Sequence, residues 1–245
     1  MLAIIGGSGL TKLANLEVGR RKVARTPYGD PSGPVTFGRI GSNEVLFLAR
    51  HGYGHTIAPH EVNYRANLWA LKQAGADSVV SVASVGGIRN DLWPGAIVLP
   101  HQVIDYTWGR ASTYFEGPGT PVNHIDFTEP YSRKLRARLL KAAAACGERV
   151  TDGGVYAATQ GPRLESAAEI NRLERDGADV VGMTGMPEAA LAREISLQYA
   201  AIAVVANYAA GRGDSERAVP LDKIEAILDE AMGRVRRIIE KLCEQ

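Results

Sequence analysis

Two cysteines in 245 residues, Cys146 and Cys243, are too few and too far apart to frame a disulfide scaffold or a thiolate metal site. A reduced, cytoplasmic setting is the expectation that follows. The chain also lacks an excess of either charge. Its 28 basic and 27 acidic residues leave a net charge of +1, which gives no electrostatic case for binding nucleic acid or a membrane surface. No apolar run approaches membrane-spanning length, and Met1-Leu2-Ala3-Ile4-Ile5 has neither a basic leader nor a cleavage pattern. An unprocessed, soluble protein is expected. Internal repeats and low-complexity segments are also missing, so small-molecule ligands remain as the partner class.

What the chain does have is a 45% hydrophobic content, enough for one substantial core, and residues 1–245 are expected to form a single domain. Short β-branched runs predict buried strands at Ala3–Ile5, Val45–Leu48, Val79–Val82, Ile97–Leu99, Val180–Val181 and Ala201–Ala206. Helices are predicted at Glu61–Ala74, Tyr131–Cys146, Pro187–Gln198 and Asp222–Leu242. The last carries an apolar stripe from Ile224 to Leu242 that reads as a packing face. Alternating strands and helices predict an α/β fold, a β-sheet flanked by helices. The longest aperiodic stretch, Tyr106 to Pro130, is a loop of the length that is usually functional or mobile.

Gly6-Gly7-Ser8-Gly9 follows the first strand, so backbone N–H groups and the Ser8 hydroxyl can meet an anion there. A dinucleotide reading of the same turn lacks its next glycine, since position 12 is Lys12. Arg50-His51 ends another apolar strand, where the Arg offers a planar cationic fork for phosphate and the His a further donor. Taken singly, each of these also suits a structural turn, a surface Arg or a structural His.

Several further blocks follow in order: Leu48-Ala49-Arg50-His51-Gly52, His55-Thr56-Ile57, Val62-Asn63-Tyr64-Arg65-Ala66-Asn67, Gln160-Gly161-Pro162-Arg163, Gly182-Met183-Thr184 and Met186-Pro187-Glu188. Together with the glycine turn they closely resemble the methylthioadenosine phosphorylase branch of the purine nucleoside phosphorylase superfamily, from about residue 2 to the last helix. The resemblance implies a mixed sheet, a homotrimer, and inorganic phosphate as co-substrate with no cofactor and no metal. It implies a phosphate site at Ser8, Arg50, His51, Ala83, Ser84 and Thr184, with Val82-Ala83 departing from the threonines frequent there. Met183 would lie beneath the ribose, and Asn207, Tyr208 and Ala209 would meet the base. Leu164, Val219 and Leu221 would wall the 5′ group, with His55 and His124 at its rim, the latter contributed by a neighbouring subunit of the implied trimer. Glu165 replaces a small residue of that branch and either faces solvent or reshapes selectivity.

The base-reading pair is the sharpest departure. Relatives that cleave adenine nucleosides carry carboxylates at the positions of Asn207 and Ala209. An Asn amide can donate to O6 of a 6-oxopurine and accept from protonated N7, and Ala209 removes the second acid. Read without the resemblance, Asn207 equally suits a turn after a strand. The expected reaction is phosphorolysis of S-methyl-5′-thioinosine, with Arg50, His51 and Asn207 as catalytic residues. Methylthioadenosine phosphorylase and a broader inosine and guanosine phosphorylase are the alternatives.

Overall fold

A computed structural model describes residues 1–10 and 13–245; Lys12 lies outside the described residues. Its centre is a mixed sheet. Strand β1 (Leu2–Gly6) lies parallel between β4 (Asn43–Ala49) and β5 (Ser78–Gly87), and β5 pairs in parallel with β11 (Gln198–Tyr208). On one side β4 continues antiparallel to β3 (Val35–Ile40) and β2 (Glu17–Lys22). On the other, β5 meets β10 (Val180–Gly182), then β9 (Val155–Ala158) and β7 (Gln102–Asp105), while β11 also carries β6 (Ile97–Leu99), which pairs with β8 (Thr151–Asp152).

Five helices cover the sheet: α1 (Tyr64–Gln73), α2 (Arg133–Ala145), α3 (Ala167–Arg175), α4 (Glu188–Glu194) and α5 (Leu221–Cys243). Capping side chains fix where three of them begin. Asn63 and Ser132 each accept a first-turn N–H, and Ser166 forms a reciprocal capping box with Glu169. Two apolar layers result. The Ile4, Phe47, Val80 and Ile202 face packs on α2 and α5, and the Ala3, Leu46, Val79 and Ala201 face packs on α1 and α4. Strands covered on both faces become continuous apolar runs, which is why β1, β4, β5 and β11 are readable in the sequence.

The fold matches the expected α/β class, with two corrections. The helix predicted from Pro187 to Gln198 stops at Glu194, because Ser196 takes a left-handed φ of 56° and Gln198 already begins β11. Strands β2, β3, β7, β8 and β9 and helix α3 were not predicted; β2 is exposed at every residue and so carries no apolar signal. No described helix is long and apolar enough to cross a membrane.

The architecture also makes the site. In register, Gly6 is opposite Ala49 and Ile5 opposite Ser81, so β1 and β4 stop while β5 and β11 run on. The turns leaving β1 and β4 fill that step, at the carboxyl ends of parallel strands where α/β sheets bind ligands.

Candidate active site

A cavity of about 460 Å³ opens above the step. Its walls come from the glycine turn after β1, the Arg50–Pro59 turn after β4, Ala83–Gly86 of β5, Pro162–Glu165, Val181–Thr184, Ala206–Ala210 and, at its mouth, Val219 and Ile224. All six residues of the expected phosphate site line it: Ser8, Arg50, His51, Ala83, Ser84 and Thr184. So do Met183, Asn207, Ala209, Glu165, Leu164, Val219 and His55. Segments as far apart in sequence as Gly7 and Ile224 converge, which no single motif could show.

Arg50 gives the first departure from the expected phosphate site. Arg50 is fully buried, and its fork is largely occupied. Nε donates to Glu188 Oε2 at 2.8 Å, Nη2 to Glu188 Oε1 at 3.0 Å and to Ser81 Oγ at 2.6 Å, and Nη1 to the Val82 carbonyl at 3.0 Å. A guanidinium without water must be paired, so the protein spends most of the donors internally. The second N–H of Nη1 is the one donor of the fork without a protein acceptor among the described residues. It lies beside Gly7, where an added Cβ would meet Nη1 at 2.8 Å and the Val82 carbonyl at 2.6 Å; only glycine lets the turn sit this close. Burial opposes charge on Arg50, but the Glu188 carboxylate more than offsets it and holds the proton firmly. Burial likewise opposes ionisation of Glu188. The Arg50 charge and hydrogen bonds from Arg50, Ser81 and Tyr199 outweigh it, so the carboxyl lies below its ordinary range.

His51 also differs from expectation. Its Nδ1 is 2.8 Å from the Ile57 carbonyl, which can only accept, so Nδ1 carries the proton. Burial first, and then the Arg50 charge, push the imidazole down to about 4. The neutral ring therefore offers a lone pair at Nε2 rather than the expected donor, a match for the P–OH of hydrogenphosphate. Ser8 Oγ lies 3.3 Å from His55 Nε2, tying the first turn to the second.

At the opposite end, β11 carries a bulge between Val205 and Asn207. The inserted residue re-aims the strand's last side chains, a common device beside active sites. Asn207 is 9% exposed, and its Nδ2 donates to the Tyr208 carbonyl at 2.6 Å, leaving Oδ1 and the other N–H for a ligand. Glu165 faces the cavity and not only solvent; Oε1 accepts from Thr159 Oγ1 at 2.6 Å and Oε2 has no protein partner among the described residues. Met183 is fixed from behind by Gly161, at φ 64°, where a Cβ would lie 2.4 Å from Sδ. Ile57, Leu164, Val219 and Ile224 give the mouth an apolar wall.

Three expected residues are elsewhere. Tyr208 contributes its carbonyl to Asn207, but its ring lies over the turn at Gly213 because side chains alternate along a strand. Leu221 opens α5 and is 66% exposed, lining a separate surface cavity. His124 is exposed on the Tyr106–Pro130 loop and is not part of the cavity of its own chain. Sequence reading also passed over Glu188 and Ser81. A Glu opening a helix after Pro reads as a helix-end charge, and only Arg50 ending a fully apolar strand hinted that a buried counter-ion was needed.

Residues 1–244 match the Phosphorylase superfamily model. The chain is 52% identical over 240 residues to a probable S-methyl-5′-thioinosine phosphorylase of Pseudomonas syringae pv. tomato, covering 98% of this chain and 97% of that protein. It is 45% identical over 215 residues to a 6-oxopurine nucleoside phosphorylase of Pyrococcus furiosus, covering 86% and 80%. Among solved structures, the methylthioadenosine phosphorylase of Schistosoma mansoni in complex with adenine superposes with a TM-score of 0.94 at 31% identity, over 99% of this chain and 90% of that one. The matched region takes in every wall of the cavity, from Gly7 to Ile224, and the chain belongs to the Phosphorylase superfamily.

Proposed function

We propose that the protein cleaves S-methyl-5′-thioinosine with inorganic phosphate, giving hypoxanthine and S-methyl-5-thio-α-D-ribose 1-phosphate, as a purine and methylthio salvage enzyme. The observation that supports this is that Asn207 and Glu165 both line the cavity while Ala209 supplies no acid. A 6-oxopurine presents O6 as an acceptor and N1–H as a donor. Adenine presents the reverse at both positions. Asn207 can donate to O6 and accept from N7–H, while the free Oε2 of Glu165 can accept from N1–H. Each buried mismatch costs about 1–3 kcal/mol, so two together favour the oxo base decisively. The apolar mouth supports a methylthio rather than a hydroxyl group at the 5′ carbon, since a hydroxyl there would lose its water without a partner.

In the reaction, an oxygen of hydrogenphosphate forms a bond to C1′ as the C1′–N9 bond breaks, and the electron pair departs with the purine. The proton of hydrogenphosphate ends on the purine, so charges balance without a covalent enzyme intermediate or a cofactor. Arg50 Nη1, the glycine turn, Ser8, Ser84 and Thr184 orient the phosphate. His51 Nε2 accepts from its P–OH, and Met183 supports the ribose. As negative charge develops on the base, Asn207 Nδ2 donates to O6, and N7 takes up the proton and donates it to Asn207 Oδ1, both from an amide positioned before the bond breaks.

The same reading includes a cytoplasmic homotrimer in which His124, on a loop that also exposes Trp108 and Val122, reaches a neighbour's site. Light scattering of the purified protein tests the assembly. Turnover of methylthioinosine, methylthioadenosine and inosine, each with and without phosphate, tests the reaction. Phosphate-dependent release of hypoxanthine fastest from methylthioinosine is expected, and faster cleavage of methylthioadenosine would overturn the base assignment.

A further inference from the structure

The front half of the Tyr106–Pro130 loop is bound down despite having no helix or strand. Thr113 Oγ1 and the Tyr114 N–H both donate to Glu194, and Tyr114 OH donates to the Arg65 carbonyl. Its most connected residue is Arg110, which lines no wall of the cavity yet reaches behind two of them. Nη1 donates to the carbonyls of Met183 at 2.8 Å and Met186 at 2.6 Å. Nη2 donates to the carbonyls of Gln160 at 2.9 Å and Thr159 at 3.2 Å, and Nε to Gln160 Oε1 at 3.2 Å. The Tyr64 hydroxyl completes the set at 3.3 Å from Nη1.

The carbonyl acceptors belong to two segments that the sheet stops holding together. The β9–β10 ladder ends with Gly182 opposite Ala158, and the Thr159 N–H to Gly182 carbonyl bond at 2.8 Å is the last backbone link between them. Beyond it, one segment leads to Glu165 and the other carries Met183 and Thr184. Where the ladder gives out, the planar fork of one guanidinium spans the gap and sets the separation. A shorter or point-charged cation cannot satisfy both sides at once.

We propose that Arg110 is a positioning residue for nucleoside recognition, fixing the Met183 segment that supports the sugar against the Thr159–Glu165 segment that reads the base. The inference rests on the cavity being a purine nucleoside site, as argued above. Three features tie it to recognition rather than to fold alone. Thr159 holds the Glu165 carboxylate through its hydroxyl while Arg110 holds the Thr159 carbonyl, so the base-reading acid is two hydrogen bonds from the guanidinium. Gly161 packs so closely on Met183 Sδ that a change in segment spacing must move the thioether. Of the residues assigned to phosphate, Ser8, Arg50, His51 and Ser84 come from other elements and are untouched by Arg110; Thr184 alone shares the segment it holds.

Arg110→Lys and Arg110→Met test this by a split in kinetic constants, using whichever purine nucleoside the unaltered protein cleaves best. A wrong choice of preferred base would therefore leave the experiment intact. The expected result is a nucleoside KM raised by about tenfold or more, in line with the cost of misplacing a bound substrate, with the phosphate KM raised far less, through Thr184 alone, and thermal unfolding of the Lys variant near that of the parent. In Arg110→Ala, added guanidinium ion is expected to recover part of the nucleoside KM. An unchanged nucleoside KM in both the Lys and Met variants would overturn the proposal. So would a parallel rise in both KM values accompanied by a lowered unfolding temperature, which is the signature of general support for the fold.

Discussion

Replacing Glu188 with Gln tests whether the buried ion pair behind the phosphate site is as critical as its geometry implies. Four donors converge on this carboxylate. Oε2 accepts from Arg50 Nε, and Oε1 accepts from Arg50 Nη2, from Ser81 Oγ at 2.7 Å and from Tyr199 OH at 2.7 Å. An amide placed to keep its oxygen at the triply bonded position turns its NH₂ against the Arg50 Nε–H, and the opposite placement turns it against the Arg50 Nη2–H. Either way a charged guanidinium with 0% exposure loses its counter-ion. Breaking such a pair by removing one partner costs about 3–5 kcal/mol, a large share of the roughly 5–15 kcal/mol that stabilises a domain. Urea unfolding at neutral pH is the assay, with phosphate KM measured alongside. The variant should lose about 3 kcal/mol or more and bind phosphate more weakly, because the remaining Nη1 donor is no longer aimed. The pH dependence has a definite sign. Because the folded carboxyl is held below the unfolded value of 4.5, its stabilisation is complete above that value and is lost as pH falls through the lower folded value. The Gln variant should lack that component. A variant that unfolds within about 0.5 kcal/mol of the parent, the scatter of an ordinary surface change, and keeps its phosphate KM would refute the reasoning.

Glu165→Gln should lower kcat/KM for methylthioinosine by about 1–3 kcal/mol, roughly 5-fold to 150-fold, and raise that for methylthioadenosine, because an amide can donate to adenine N1; identical ratios before and after would remove Glu165 from base recognition. Asn207→Asp combined with Ala209→Asp should move activity toward the adenine nucleoside, and undiminished methylthioinosine cleavage with no adenine activity would show that these positions do not choose the base. His51, held at about 4 in the folded protein against 6.5 when free, takes up its proton more readily after unfolding, so its effect is a loss of stability as pH falls from about 6.5 toward 4. Acid titration of stability in His51→Gln should show a shallower slope over that window, and an unchanged slope would contradict the buried neutral assignment.

Much of this molecule was legible in the chain, and the gaps have physical causes. Strands buried on both faces, such as β1 and β11, announce themselves as apolar runs. By contrast, β2 lies at the sheet edge with Arg20, Arg21 and Lys22 all exposed, and no hydrophobic pattern marks it. Helix α3 did carry a signal, the Ser166 to Glu169 capping box. Its apolar face is reduced to the buried Ile170 and Leu173, too few to show a period. At the site, the resemblance named residues from distant segments that the fold brings into one cavity. It did not reveal how Arg50 spends its donors, which tautomer His51 adopts, or that Glu165 turns inward. Those depend on partners far away in sequence: Arg50 on Glu188, His51 on the Ile57 carbonyl, and Glu165 on the Thr159 hydroxyl. Arg110 is the extreme case, since its acceptors are distributed over three segments and only the fold assembles them.

A crystal structure of the protein with hypoxanthine and phosphate together tests the central claim most directly. The account predicts the Asn207 amide within hydrogen-bonding distance of O6 and N7, and Glu165 Oε2 within reach of N1. A purine ring bound with Asn207 turned from its O6 and N7 edge, or with Glu165 directed to solvent, would contradict it.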